Sequence, residues 1–154
     1  MSAFPTRRLA ALLLGGVMFG CSGTRPADLG VQAGRLRPCP GTPNCVSSEA
    51  GTPAEQLVKS FPAPGGAADL ERLATLVRAW PRTEVVTATP GYLHAESTSL
   101  LMRFKDDVEF RYDAASGEIH VRSASRLGKS DLGVNRKRVE GLRDQWFARF
   151  GGAR

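Results

Sequence analysis

Apolar and polar positions alternate most cleanly over residues 108–122. Val108, Phe110 and Tyr112 are separated by Glu109 and Arg111; beyond a turn at 113–117, Ile119 and Val121 are separated by His120. In a strand, successive side chains leave opposite faces, so a period of two sorts them into two sets. The segment therefore reads as an antiparallel hairpin with one apolar face and one wet face. For both apolar sets to share a side, Tyr112 must oppose Ile119 and Phe110 must oppose Val121. The polar side then pairs Arg111 with His120 and Glu109 with Arg122, the second pair attractive by about 0.2–1 kcal/mol.

Other segments follow the helical period. Leu70, Leu73, Leu76, Val77 and Trp80 fall on one stripe, with Asp69 as an N-cap and Pro81 as a stop. Val139, Leu142, Trp146, Phe147 and Phe150 form the stripe of a closing helix that ends at Gly151 and Gly152. Between the first helix and the hairpin, residues 84–89, 92–96 and 100–104 read as short strands. Pro90 and Gly91 occupy the central positions of a type II turn. Residues 47–66, rich in Pro, Gly and Ala, read as an irregular arm held by Leu57, Val58 and Phe61. The expected fold class is α+β: an antiparallel sheet of about four or five strands with two helices packed on one face.

The first residues follow neither period. Arg7 and Arg8 precede an apolar run at 9–19, and Gly20 and Cys21 follow at once. A basic start, a short greasy run and a small residue before a cysteine are the marks of a secretion signal with a lipoprotein processing site. The run is shorter than the ~18–20 residues that span a hydrocarbon core. Met18 and Phe19 stand where Leu and Ala are usual in such a site. The domain reading is therefore residues 1–20 as signal peptide, 21–37 as a flexible tether from lipidated Cys21, and 38–154 as a single α+β domain. A seventeen-residue coil would hold its ends ~20–25 Å apart. The expected location is periplasm-facing and lipid-anchored to the envelope, with Ser22 after Cys21 favouring the outer membrane.

Net charge is +6, and removing Arg7 and Arg8, the charged residues of the leader, leaves +4. A basic surface favours anionic lipid headgroups, polymers or small anionic ligands. Nucleic acid is not an expected partner of an exported chain. Export also bears on Cys39 and Cys45, which flank Pro40, Gly41 and Pro43 and form an even pair once Cys21 is lipidated. A disulfide closing this turn is expected, since five intervening residues are too many for a redox pair. His94 and His120 lie too far along the chain for finger spacing.

Three segments in order, 39–48, 106–110 and 122–138, resemble the domain of unknown function 1499 family, over roughly residues 36–150. Its members are small bacterial proteins, often exported or lipid-anchored, with relatives in plants. The resemblance implies that the three segments matter together, but it implies no activity.

Two of these segments carry candidate chemistry. Asp106, Asp107 and Glu109 are a dense acidic cluster of the kind that holds hard cations. Strand alternation sends Asp106 to the opposite face, so the expectation is a bend and a Glu109–Arg122 pair, with no metal. Residues 122–138 set Arg122, Arg126, Lys129, Arg136, Lys137 and Arg138 against a single acid, Asp131. With Ser125 and Asn135 beside a helix start, Arg122, Arg126, Lys129 and Arg136 form a candidate anion site. The same residues would equally serve as a charged corner in which Arg126 holds a carboxylate. Serines abound, but none lies in a Gly-x-Ser-x-Gly elbow. No catalytic residue and no cofactor are expected. The leading reading is a lipid-anchored, non-enzymatic envelope module that binds an anionic ligand or partner. The alternative is an envelope hydrolase or metal-dependent enzyme built from Asp107, Glu109, Arg122 and Arg126.

Overall fold

The alternating segments pair as their apolar faces require. In the computed structural model, which describes residues 23–151, the elements run β1 (Cys45–Ser47), β2 (Phe61–Pro62), α1 (Ala68–Ala79), β3 (Thr83–Thr89), β4 (Tyr92–Thr98), β5 (Lys105–Asp113), β6 (Glu118–Ser125) and α2 (Val134–Phe150). Six strands make one antiparallel sheet in the order β1-β6-β5-β4-β3, and β2 joins β6 on the same edge as β1. The strand count exceeds the expected four or five because the arm contributes two short edge strands. Tyr112 opposes Ile119, Phe110 opposes Val121 and Glu109 opposes Arg122, the expected register.

Both helices lie on one face of the sheet. Leu73 and Val77 of α1 and Leu142 and Trp146 of α2 meet Leu93, Phe110, Ile119 and Val121 in a single core. Phe61 anchors the arm there, edge-on to Phe110 at 5.8 Å and to Trp146 at 6.3 Å between ring centroids. Such tilted aromatic pairs add to the area they bury. Gly91, at φ +90°, turns β3 into β4, and Gly117, at φ +68°, turns β5 into β6. Cys39 and Cys45 form a disulfide with Cα atoms 5.6 Å apart, closing the prolyl turn onto β1.

Several expectations are corrected. Asp69 is not the N-cap of α1; Ala67 is, and Asp69 in the first turn accepts the Gly65 amide at 2.7 Å. Residues 100–104 are not a strand but the loop joining β4 to β5. That loop closes on itself through the Ser99 amide, which donates to the Phe104 carbonyl at 2.9 Å. The polar face of the hairpin is not wet: Glu109, Arg111 and Arg122 are all buried. What covers it is the segment expected to be a free tether, which from Gly23 onward is laid across the sheet. Arg25 donates to Glu96, Gly30 to Glu109, and Leu36, itself buried, to Glu49. The fold thus has a third layer, residues 23–37, that the polar composition of this segment conceals. The signal peptide and Cys21 lie outside the described residues. Among those described, no helix is long and apolar enough to cross a membrane.

Gly141 marks where α2 crosses the end of α1. A Cβ there would lie 2.5 Å from Cη2 of Trp80. Helix propensity alone favours Ala over Gly by about 1 kcal/mol, whereas forcing a ring aside costs about 1–3 kcal/mol. Gly141→Ala is expected to lower stability in spite of its better propensity. A urea midpoint at or above the parent's would show that Trp80 yields freely.

Candidate functional site

The face opposite the helices is a buried sheet of charges. Alternation places Tyr92, His94 and Glu96 of β4, Asp107, Glu109 and Arg111 of β5, and His120 and Arg122 of β6 on it together. The register sets His94 beside Glu109 and Glu96 beside Asp107. Two carboxylates directly opposite one another repel, and burial strengthens that repulsion. Arg126, just past β6, lies between them: its Nη2 donates to Glu96 and, at 2.7 Å, to Asp107, whose other oxygen takes Nε at 2.8 Å. His94 Nε2 lies 2.8 Å from the same Asp107 oxygen that takes Nη2. Arg25 and Lys105 complete the shell of Glu96.

These contacts fix the acidities. Burial pushes the Asp107 carboxyl up, but the Arg126 and His94 hydrogen bonds outweigh it and hold it at about 2. Glu96 is likewise pushed up by burial and pulled down further, by Arg126, Arg25 and Lys105, to about 2. A second knot joins Arg111 to Glu49 through two bonds of 2.6 and 3.0 Å. The Glu49 bonds raise the Arg111 pKa against the opposing effect of burial.

The third knot is different. Glu109 accepts from the Gly30 amide at 2.7 Å, from the Tyr92 hydroxyl at 2.8 Å and from Arg122 Nη1 at 3.3 Å, so the acid is well satisfied. Arg122 is not. It is 1% exposed, and its Nε and Nη2 have no hydrogen-bond partner. Burial, together with the neighbouring Arg37 charge, pushes its pKa down. Tyr92 is pushed the other way, up, by burial and by the Glu109 charge.

The six candidate anion-binding residues do not converge. Arg126 is committed to Glu96 and Asp107. Asn135 is buried, donating to Ser125 at 3.0 Å and to Asp131 at 2.7 Å, while its oxygen accepts from Ser123 and Arg138. Arg136 donates to the backbone carbonyls of Glu55 and Leu57, tying α2 to the arm. Lys129 is exposed on the loop before α2. The helix start is served by Asp131, which accepts the Gly133 and Asn135 amides at 2.9 and 2.8 Å. Only Arg122 keeps unused donors in a buried setting.

The acidic cluster divides as alternation requires. Asp106 faces the helices and accepts from Arg138 at 2.6 Å, whereas Asp107 and Glu109 face the covering segment. Asp107, Glu109, Arg122 and Arg126 do share a face, yet both acids and Arg126 are spent on partners within it, and Arg122 Nη1 on Glu109. Two surface depressions, of about 850 and 460 Å³, include none of the four in their walls. Sequence reasoning placed Arg111 on this side of the hairpin but missed His94, Glu96 and Glu49 as members of the layer. The signal was available for two of them: His94 and Glu96 alternate in phase with Asp107 and Glu109.

A family model described as a protein of unknown function (DUF1499) matches residues 35–146. No curated protein and no solved structure matches the chain.

Because Glu96 and Asp107 stay ionised far below their ordinary values of 4.5 and 3.8, each stabilises the fold above that range. Their contribution should be complete above about pH 4.5 and disappear as pH falls through about 2, visible as a Tm that drops across that window. Arg126→Met should cost about 3–5 kcal/mol at pH 7, since it leaves two buried carboxylates facing each other. It should also reverse the slope, so that the variant gains stability between pH 7 and 5 as one acid of the pair takes up a proton. A variant whose Tm follows the parent's pH profile would contradict this account of the face.

Proposed function

The chain belongs to this family of unknown function, and we propose that it is a lipid-anchored, non-enzymatic module of the cell envelope that holds a small anion at Arg122. The observation that carries this reading is the guanidinium with two unpartnered N–H donors at 1% exposure. Leaving a buried charged donor unmatched costs about 1–3 kcal/mol or more, and an oxyanion would supply the missing acceptors. Arg37, whose charge bears on Arg122 from the covering segment, is itself paired with Asp28, so the missing acceptors are those of Arg122 alone. Phosphate and carboxylate fit a planar fork that presents adjacent donors. The non-enzymatic part is supported by Asp107, Glu109 and Arg126, whose charges are neutralised within the face and leave no free acid beside the arginine.

The anchor rests on the leader pattern and on Cys21, and the expected orientation is periplasm-facing, with the outer membrane favoured. A single acyl chain binds only marginally, so retention needs the several chains of a mature lipoprotein. The Cys21→Ser protein should be extracted from membranes by a high-salt wash that leaves the parent in place. Equal retention of the two would sink the anchor.

Anion binding is read separately. Inorganic phosphate should raise the Tm of the parent above that in chloride of equal ionic strength, by about 2.7 kcal/mol of stability at a hundredfold excess over Kd. Arg122→Lys keeps a charge beside Glu109 but has neither Nε nor Nη2, and should fold while losing the phosphate-specific gain. A parent that responds to phosphate and chloride alike, or an Arg122→Lys variant that keeps the gain, would refute the site.

A further inference from the structure

We propose that the end of the sheet carrying Leu100, Leu101 and Met102 is a docking surface for an anionic lipid bilayer, an inference that rests on the membrane location proposed above. Ten large hydrophobic residues are exposed among those described, and six of them, Leu100, Leu101, Met102, Leu127, Leu132 and Val134, belong to two neighbouring loops and the start of α2. Topology gathers them. The loop at 99–104 joins β4 to β5, and Asp106 at the start of β5 pairs with Ser125 at the end of β6. Residues 126–133 leave from that same edge, and the Arg126 amide donates to the Lys105 carbonyl at 3.0 Å. The first turn of α2 returns there through Asn135, which donates to Ser125.

Leu101 is 87% exposed and Leu100 68%, although both sit in a built turn. The Phe104 amide donates to Ser99 Oγ at 2.8 Å, and Arg103 holds φ at +54°. Contiguous apolar exposure of this kind marks an interaction surface. Its surroundings are basic: Arg82, Arg103, Lys129 and Lys137 are exposed around it. Of the acids nearby, Glu96 is matched by Arg126, Arg25 and Lys105, and Asp131 by backbone amides, while Glu84, opposite Glu96, is exposed and outnumbered by the four cations. An apolar tip inside a ring of Lys and Arg suits the boundary between acyl chains and anionic headgroups.

The path of the chain chooses the bilayer over other occupants. Gly23 enters the fold at this end, where a Cβ on it would lie 2.9 Å from Arg126 Cβ and 3.0 Å from Leu127 Cγ. Cys21 precedes Gly23 by two residues, a length of chain that spans at most about 7 Å. An acyl anchor on Cys21 would bring this end, and no other, against the membrane. The domain would then lie flush on the bilayer, not at the reach of a seventeen-residue coil.

The test uses residues 21–154 with Cys21→Ser, a chain that retains every described residue and carries no anchor, so binding reads the surface alone. The membrane extraction of Cys21→Ser in cells reads the anchor alone. Vesicles of phosphatidylglycerol and phosphatidylethanolamine should bind this chain, and vesicles of phosphatidylcholine should bind it more weakly. The triple variant Leu100→Ser, Leu101→Ser, Met102→Ser should bind the anionic vesicles at least about tenfold less with an unchanged Tm. Salt at 1 M should remove most of the preference for phosphatidylglycerol, as the Debye length falls to about 3 Å. Independently, Leu101→Trp should be quenched by brominated phosphatidylglycerol more strongly than Trp80 and Trp146 are in the parent. Equal binding by the triple variant, or an unquenched Trp at 101, would overturn the proposal. Tip-dependent self-association without vesicle binding would overturn it in favour of a second copy of the chain.

Discussion

Carboxylates cannot be buried side by side across a strand pair unless a cation stands between them, and Arg126 is that cation for Glu96 and Asp107. Its place one residue beyond β6 makes the demand structural. The guanidinium reaches both acids only if β6 lies beside β5, and β5 beside β4, in the register that faces Glu96 with Asp107. The Glu109–Arg122 and Arg111–Glu49 pairs extend the same arrangement across the sheet. A charged layer of this kind adds little net stability compared with an apolar one, since desolvation offsets most of the attraction. What it contributes is intolerance of slippage: a shift of one residue would bury several unpaired charges at once.

The covering segment follows from that layer. Residues 23–37 hold few large apolar groups and have no periodicity, so nothing in them suggests a packed element. They are held instead by polar contacts with buried acids, Glu96 and Glu109 of the sheet and Glu49 just past β1, made by the Arg25 side chain and by the backbone amides of Gly30 and Leu36. Backbone amides carry no signature in the residue letters. For that reason the helices, the hairpin register and the disulfide were legible from residue order, while the third layer was not. The same gap explains why six residues read as one anion site. Residues 122–138 are dense in cations, and density alone cannot distinguish Arg126, which is neutralised by acids about twenty to thirty positions earlier, from Arg122, which is not. The polar side of a hairpin reads as wet from either outcome. His94 and Glu96 of β4 supplied the missing clue, because one polar face in phase across three strands exceeds what solvent exposure requires.

Scaffold and site are therefore made from one set of side chains. Most of the charges in the face hold it together, and the unspent donors of Arg122 are the exception within it. The family match over residues 35–146 spans the sheet, both edge strands and most of α2, and most of the covering segment, Arg25 and Gly30 included, precedes it.

The covering segment has a consequence for how the chain reaches its final state. Arg25 must meet Glu96, 71 positions later, and Gly30 must meet Glu109, 79 positions later. Joining ends so far apart costs loop-closure entropy that grows with the logarithm of the separation, and contacts of this span slow folding. As the chain emerges from its N-terminus, Leu36 finds Glu49 only 13 positions later, but Arg25 and Gly30 have no partner until β4 and β5 have appeared. The contacts of Arg25 and Gly30 are thus the long-range part of this segment's docking, and they close the charged face only after its strands exist.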